Sequence, residues 1–230
     1  MTEPTLLLFD IDGTILTSGG AGETALRLGF QEEFGLVETL TQVEISGRTD
    51  SGIARQILAK HELEATAENL ERFFNGYLRH LEGLLPKREG RLLPGVLPLL
   101  EALLEMPNVC LGLLTGNLER GAFLKLRHYG VGNVFKFGAF ADDHHDRNQL
   151  GAFALARARA LHGITFAPES TFVLGDTPHD ISCARACGAR VLAVATGSFT
   201  LDQLAPFQPD ALFRDLSDLP AVLRALGQGS

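Results

Sequence analysis

The chain has 230 residues, 45% of them apolar, and a formal net charge of −8. That length buries a full core and leaves room for a smaller insertion, while an acidic balance with scattered basic residues argues against a nucleic-acid or anionic-membrane surface. Three cysteines, Cys110, Cys183 and Cys187, form an odd set without metal-type spacing and argue against a disulfide framework.

The first apolar run, Leu6 to Phe9, lacks a basic flank and is too short for a signal peptide or a membrane span, so a cytoplasmic location is expected. Four uncharged apolar residues read as a strand buried on both faces, and the strand ends in Asp10-Ile11-Asp12-Gly13-Thr14, where Gly13 favours an immediate turn. Ligands bind at the carboxyl ends of strands in open parallel sheets, which makes Asp10 and Asp12 functional candidates. The competing reading is a solvated turn with an Asx cap.

Long helical segments follow, at about Ala21 to Phe34, Asp50 to His61 and Ala67 to Leu84, and Gly83 to Gly95 reads as a return linker. Gly19-Gly20 reads as a hinge at the entrance to these helices. The pattern then alternates. Helices are expected over Val96 to Glu105, Leu118 to Tyr129, Asn148 to His162 and Pro178 to Cys187, with a last one ending near Leu226. Strands are expected over Val109 to Leu114, Lys136 to Phe140, Thr171 to Leu174, Arg190 to Val194 and near Ala211 to Phe213. Such alternation implies a parallel sheet with helices on both faces and right-handed crossovers. The expected fold is therefore α/β: a Rossmann-like three-layer core from residues 1–16 and 88–230, with a helical cap domain, residues 17–87, inserted after the first strand and lying over its carboxyl end.

Two further strands end in polar residues, one in Thr115-Gly116-Asn117 and one in Gly175-Asp176-Thr177-Pro178-His179-Asp180. If these strands neighbour the first, Asp10, Asp12, Asp176 and Asp180 crowd together. Each like-charge pair near 4 Å then costs about 4 kcal/mol at an effective dielectric of 20, so the cluster needs a cation. Hard oxygen ligands select magnesium, whose shell a substrate phosphate oxygen typically completes. The Thr115 hydroxyl and the amides of Gly116 and Asn117, at a helix amino end, suit a bound phosphate.

Together these segments resemble the haloacid dehalogenase superfamily, whose first motif is Asp-x-Asp-x-Thr/Val, whose second is a Ser/Thr ending a strand and whose fourth is acidic. The likeness spans nearly the whole chain. It implies a phosphoaspartyl mechanism, in which Asp10 attacks phosphorus while Asp12 protonates the leaving alcohol and later activates water. It also implies magnesium held by Asp10, by the Asp12 backbone carbonyl, by Asp176, and by Asp180 directly or through water.

The third motif of that family is usually a lysine, and the stretch Asp142 to Asn148 has none. Lys136 and Arg147 compete for the role, and Arg147 is chosen because it follows its strand at the carboxyl edge; the alternative is a surface pair with Asp142, Asp143 or Asp146. His144 and His145 read as a solvated loop whose side chains point apart, rather than a zinc site. His179 reads as a residue at the start of a helix, and Cys183 and Cys187 as small buried hydrophobes.

The insertion resembles the family's helical cap of the first type, as in phosphoglycolate phosphatases, beta-phosphoglucomutases and phosphonatases. Within it, Ser46-Gly47-Arg48-Thr49-Asp50 is the one short polar motif between helices, with Arg48 and Thr49 as substrate-binding candidates; the competing reading is that Thr49 or Asp50 caps the next helix. The implied function is a magnesium-dependent phosphatase acting on a small phosphorylated metabolite of the phosphoglycolate or sugar-phosphate type, as a monomer or homodimer. A phosphomutase is the runner-up. Hydrolytic dehalogenation is disfavoured by Asp12, a phosphonatase by Lys60, a solvated helix residue, being the one lysine of the helical insert proper, and a catalytically silent binding protein by the presence of all four acids.

Overall fold

Leu6 and Leu8 face one side of the first strand, Leu7 and Phe9 the other, and all four are fully buried. That strand, β1 (Thr5–Phe9), is the centre of the molecule, here described over residues 3–228 of a computed structural model. After it come β2 (Leu16–Thr17), α1 (Ala21–Phe34), α2 (Asp50–Lys60), α3 (Ala67–Leu84), β3 (Arg91–Leu92), α4 (Val96–Leu104), β4 (Val109–Leu114), α5 (Glu119–His128) and β5 (Gly138–Ala139). The remainder is α6 (Leu150–His162), β6 (Thr171–Gly175), α7 (Pro178–Ala186), β7 (Arg190–Val194), α8 (Leu201–Leu204), β8 (Ala211–Phe213) and α9 (Leu219–Ala225).

Six strands form one parallel sheet in the order β5-β4-β1-β6-β7-β8. Leu7 and Phe9 pack with Leu99 and Leu103 of α4, Leu126 of α5 and Val222 of α9. Leu6 and Leu8 pack with Ala154 and Ala158 of α6 and Ile181 and Ala184 of α7. Helices on both faces make the three-layer α/β architecture, because a strand without polar residues needs cover on each side.

A third apolar cluster belongs to α1, α2 and α3, with Phe30, Ile57, Phe73 and Tyr77 at its centre. The α1 and α3 backbones meet at Gly29 and Gly76, where a Cβ on Gly29 would lie 2.7 Å from the Gly76 carbonyl carbon. The chain leaves for these helices and returns from them through an antiparallel ribbon, in which Leu16 pairs with Leu92 and Thr17 with Arg91. That ribbon escaped the sequence reading, since two residues a side carry no periodicity. The strand expected over Lys136 to Phe140 is only Gly138–Ala139: the Phe137 carbonyl still accepts from the Leu113 amide, whereas the Phe140 amide turns to the Asp143 carboxylate and its ring is buried by packing. Among the described residues no helix is long and apolar enough to cross a membrane.

Candidate active site

Register brings three chain segments to one point. Phe9 pairs with Leu113 of β4 on one side and Leu174 of β6 on the other, so the residues that follow, Asp10, Thr115 and Asp176, emerge side by side at the carboxyl edge. All three are buried. Asp180 joins them from α7, where Thr177 caps the helix and accepts from the Asp180 amide while the Asp180 carboxylate accepts from the Thr177 amide.

Carboxylate oxygens of Asp10, Asp176 and Asp180 lie within 4.8 Å of one another. Burial, opposed by Arg147 and reinforced by the Asp180 charge, raises the Asp10 carboxyl to about 6. Burial and the neighbouring Asp180 and Asp10 charges hold Asp176 well above the usual carboxylate range. Three buried carboxylates with a single guanidinium among them are under-neutralised, and an all-oxygen donor set of this kind fits a hard divalent cation. Glycine backbone surrounds Asp176: a Cβ at Gly13 (φ +83°) or at Gly197 would overlap its carboxylate. Thr14 Oγ1 donates to Asp176 Oδ1 at 3.2 Å.

Arg147 lies in this cluster rather than on the surface. Its Nη2 is 3.2 Å from Asp10 Oδ1 and also donates to Asp180 Oδ1, while Nη1 donates to the Gly47 carbonyl at 3.0 Å. The acids that could have claimed it are engaged elsewhere. Asp142 accepts from the Glu119 amide at 2.7 Å, Asp143 pairs with Arg157, and Asp146 accepts from the Asn148 amide. Lys136 is exposed at the opposite end of its strand segment.

Residues 47–51 lie against this edge. The Asp50 amide donates to the Gly116 carbonyl at 2.6 Å, and Ser51 Oγ to the Ala141 carbonyl at 2.8 Å. Thr49 departs from its expected substrate role: it is buried, caps α2 by accepting from the Gly52 amide, and donates to the His145 carbonyl at 2.6 Å. A threonine so committed has no hydroxyl proton left for a ligand. Arg48 is exposed, pairs with Glu44, and lines a cavity of about 410 Å³ whose floor includes Asp10, Asp12, Asn117 and Asp176 and whose roof includes Ile53 and Tyr77. Gly116 packs against the backbone of Arg48 and Thr49. Gly19 and Gly20 both hold positive φ, with Gly20 capping α1.

Two acids and a lysine were not among the expected site residues. Asp50 is buried, accepts from the Leu118 amide at 2.8 Å and from the Tyr77 hydroxyl, and burial raises it to about 6. Glu38, in the stretch between α1 and α2, is buried and takes Lys60 and His61, and none of these three lines the cavity. Lys125 of α5 is buried, donating to Asp12 Oδ2 and to Asn117 Oδ1 at 2.6 Å. One signal for Lys125 was readable: it shares the α5 stripe of Ala122 and Leu126, a core position where lysine is costly. His144 and His145 correct the expectation that they point apart, since their rings stack at 4.6 Å; among the described residues the only metal-type cluster is the aspartate set. Cys183 is buried, donates to the Arg147 carbonyl and is raised to about 12 by burial, an inert thiol.

The model of the haloacid dehalogenase-like hydrolase family matches residues 7–185. Over 96% of this chain and 94% of its own length, the probable phosphatase IndB of Dickeya dadantii is 27% identical. The phosphoglycolate phosphatase of Synechococcus elongatus is 30% identical over 61% of this chain and 62% of its own. A hydrolase structure from Pseudomonas syringae superposes with a TM-score of 0.73 at 21% identity, covering 98% of this chain and 100% of that one.

Proposed function

The chain belongs to the haloacid dehalogenase-like hydrolase family, and from that premise we propose that it is a magnesium-dependent phosphatase that hydrolyses a small phosphorylated metabolite through an aspartyl phosphate on Asp10. The observation that carries the reading is the meeting of Asp10, Thr115 and Asp176 at three adjacent strand ends, with Arg147 beside them.

In this reading an Asp10 oxygen attacks phosphorus, and the Thr115 hydroxyl with the loop at Gly116 and Asn117 holds phosphoryl oxygens. Arg147 neutralises both the Asp10 carboxylate and the incoming phosphoryl group, doing with a fork what a lysine does with a point charge. Asp12, on the turn two residues on, gives its proton to the leaving oxygen and then takes one from the water that cleaves the aspartyl phosphate. Asp10, Asp176 and the Asp12 main-chain carbonyl would hold magnesium, which supplies charge neutralisation for the transferring group. Asp180 has both oxygens engaged, by Arg147 and by Thr177, and orients Arg147 or reaches the cation through water.

Residues 17–87 serve as the cap and residues 1–16 and 88–230 as the core. The cap covers the strand ends, excludes water and selects the leaving group, with Arg48 at the cavity rim as the cation for a carboxylate or a second phosphate. A cavity of about 410 Å³ suits a small ester of the phosphoglycolate or sugar-phosphate type. The test is a screen of phosphorylated metabolites with and without Mg2+, phosphoglycolate first. The expected result is metal-dependent phosphate release that Asp10→Asn abolishes; undiminished turnover by that variant rejects the nucleophile.

A further inference from the structure

Asp12 is held by one oxygen only. Lys125 Nζ and Asn117 Nδ2 both donate to Oδ2, the latter at 2.9 Å, and among the described residues no donor reaches Oδ1. Lys125 and Asn117 are themselves joined at 2.6 Å, and Asn117 Nδ2 also reaches Thr115 Oγ1 at 2.9 Å. The Asp12 side chain is 42% exposed whereas that of Lys125 is 4% exposed, so the anchor is rigid and the anchored group faces the cavity. Burying an ammonium is costly, and an apolar residue on the α5 stripe would pack the core more cheaply. The nearby Asp50 carboxylate feels the Lys125 charge but does not bond it, being held by the Leu118 amide and the Tyr77 hydroxyl.

We propose that Lys125 is a positioning residue for Asp12: with Asn117 it clamps Oδ2 and so presents Oδ1 alone to the leaving-group oxygen. The inference rests on the acid and base role given to Asp12 above. As the Asp10 oxygen bonds to phosphorus and the ester P–O bond breaks, the proton on Asp12 Oδ1 passes to the departing oxygen and the alcohol leaves neutral. The resulting carboxylate then takes a proton from water as that water bonds to phosphorus and the Asp10–phosphorus bond breaks.

The experiment compares kcat/KM, which reports the first chemical step, for an alkyl phosphate (phosphoglycolate first) and for p-nitrophenyl phosphate, using the full chain with Mg2+. An alkoxide needs the proton to leave, whereas an acidic phenol leaves without it. Lys125→Met is expected to lower kcat/KM by about 100-fold for the alkyl ester and by less than about 3-fold for the aryl ester, with KM little changed and Lys125→Arg recovering most of the loss. Equal losses on both esters, or no loss on either, overturn the proposal. If the methionine variant does not fold by circular dichroism, Lys125→Gln carries the same comparison. Asp12→Asn serves as the separate control: retained turnover of the alkyl ester by that variant rejects the role of Asp12 itself, whatever Lys125 does.

Discussion

Arg147 and Asp10 face each other across the sheet edge, Nη2 3.2 Å from Oδ1, and the same guanidinium meets Asp180, which is fully buried. Arg147→Met removes the counter-charge of two buried acids. It is expected to cost about 3–5 kcal/mol of stability through the stranded Asp180 and to lower kcat by about 100-fold or more. Arg147→Lys keeps the charge but not the fork that reaches Asp10, Asp180 and the Gly47 carbonyl, and should fall between the wild type and the methionine variant. Urea unfolding and steady-state kinetics on both variants check the ordering.

Gly197 lies where a side chain would overlap the Asp176 carboxylate. Gly197→Ala should turn that carboxylate out of line and raise the Mg2+ concentration for half-maximal activity by about 10- to 100-fold. The thermal midpoint without metal should stay near that of the wild type, because relief of acid crowding offsets the displaced backbone. Chelation with EDTA should abolish turnover in both proteins, and excess Mg2+ should restore it.

Asp50 provides a pH test read through stability rather than turnover. Burial raises its carboxyl from 3.8 to about 6, so between those values the folded state holds a proton that the unfolded state has lost. Stability contributed by Asp50 is therefore fully present below about pH 4 and is lost as pH rises through about 6, by at most roughly 3 kcal/mol. Asp50→Asn keeps the acceptor for the Leu118 amide and removes the titration. The stability of that variant relative to the wild type should rise between pH 4 and pH 7, as read by parallel denaturant titrations; a flat difference rejects the burial argument.

Gly29 and Gly76 set the spacing of α1 and α3. Gly29→Ala would place a Cβ 2.7 Å from the Gly76 carbonyl carbon and 2.9 Å from Tyr77 Cα, both backbone atoms that cannot swing aside. The expected loss is about 1–3 kcal/mol. Because Tyr77 lines the cavity and bonds Asp50, KM should rise while the sheet core keeps its fold by circular dichroism.

Much of the site was legible because the chemistry ends buried strands. An uncharged run such as Leu6 to Phe9 has no packing reason to stop at Asp10, and the same holds before Thr115 and Asp176. Arg147 could be placed by order along the chain, since a residue after a strand lies at its carboxyl edge. The burial of Lys125 was hinted at by its place on the α5 stripe of Ala122 and Leu126, but its partner was not legible, because the Asp12 contact joins residues far apart in sequence. Thr49 misled for a related reason: a capping threonine and a ligand-binding threonine carry the same local sequence, and only the His145 carbonyl beyond it distinguishes them. The ribbon of β2 and β3 depends on pairing between residues far apart in sequence, which no local pattern announces.

That ribbon has an evolutionary consequence. With Thr17 paired to Arg91, everything from Ser18 to Gly90 is topologically one loop, opened and closed at a single hydrogen-bonded neck. None of it threads through the six-stranded sheet, so it can be shortened, enlarged or exchanged for a foreign segment while the strand order and the register beneath it stay as they are. Selection for a new ester can therefore rewrite much of the loop, constrained where Gly47, Thr49, Asp50 and Ser51 touch the strand-end loops and where its helices pack on Leu118 and Ala141.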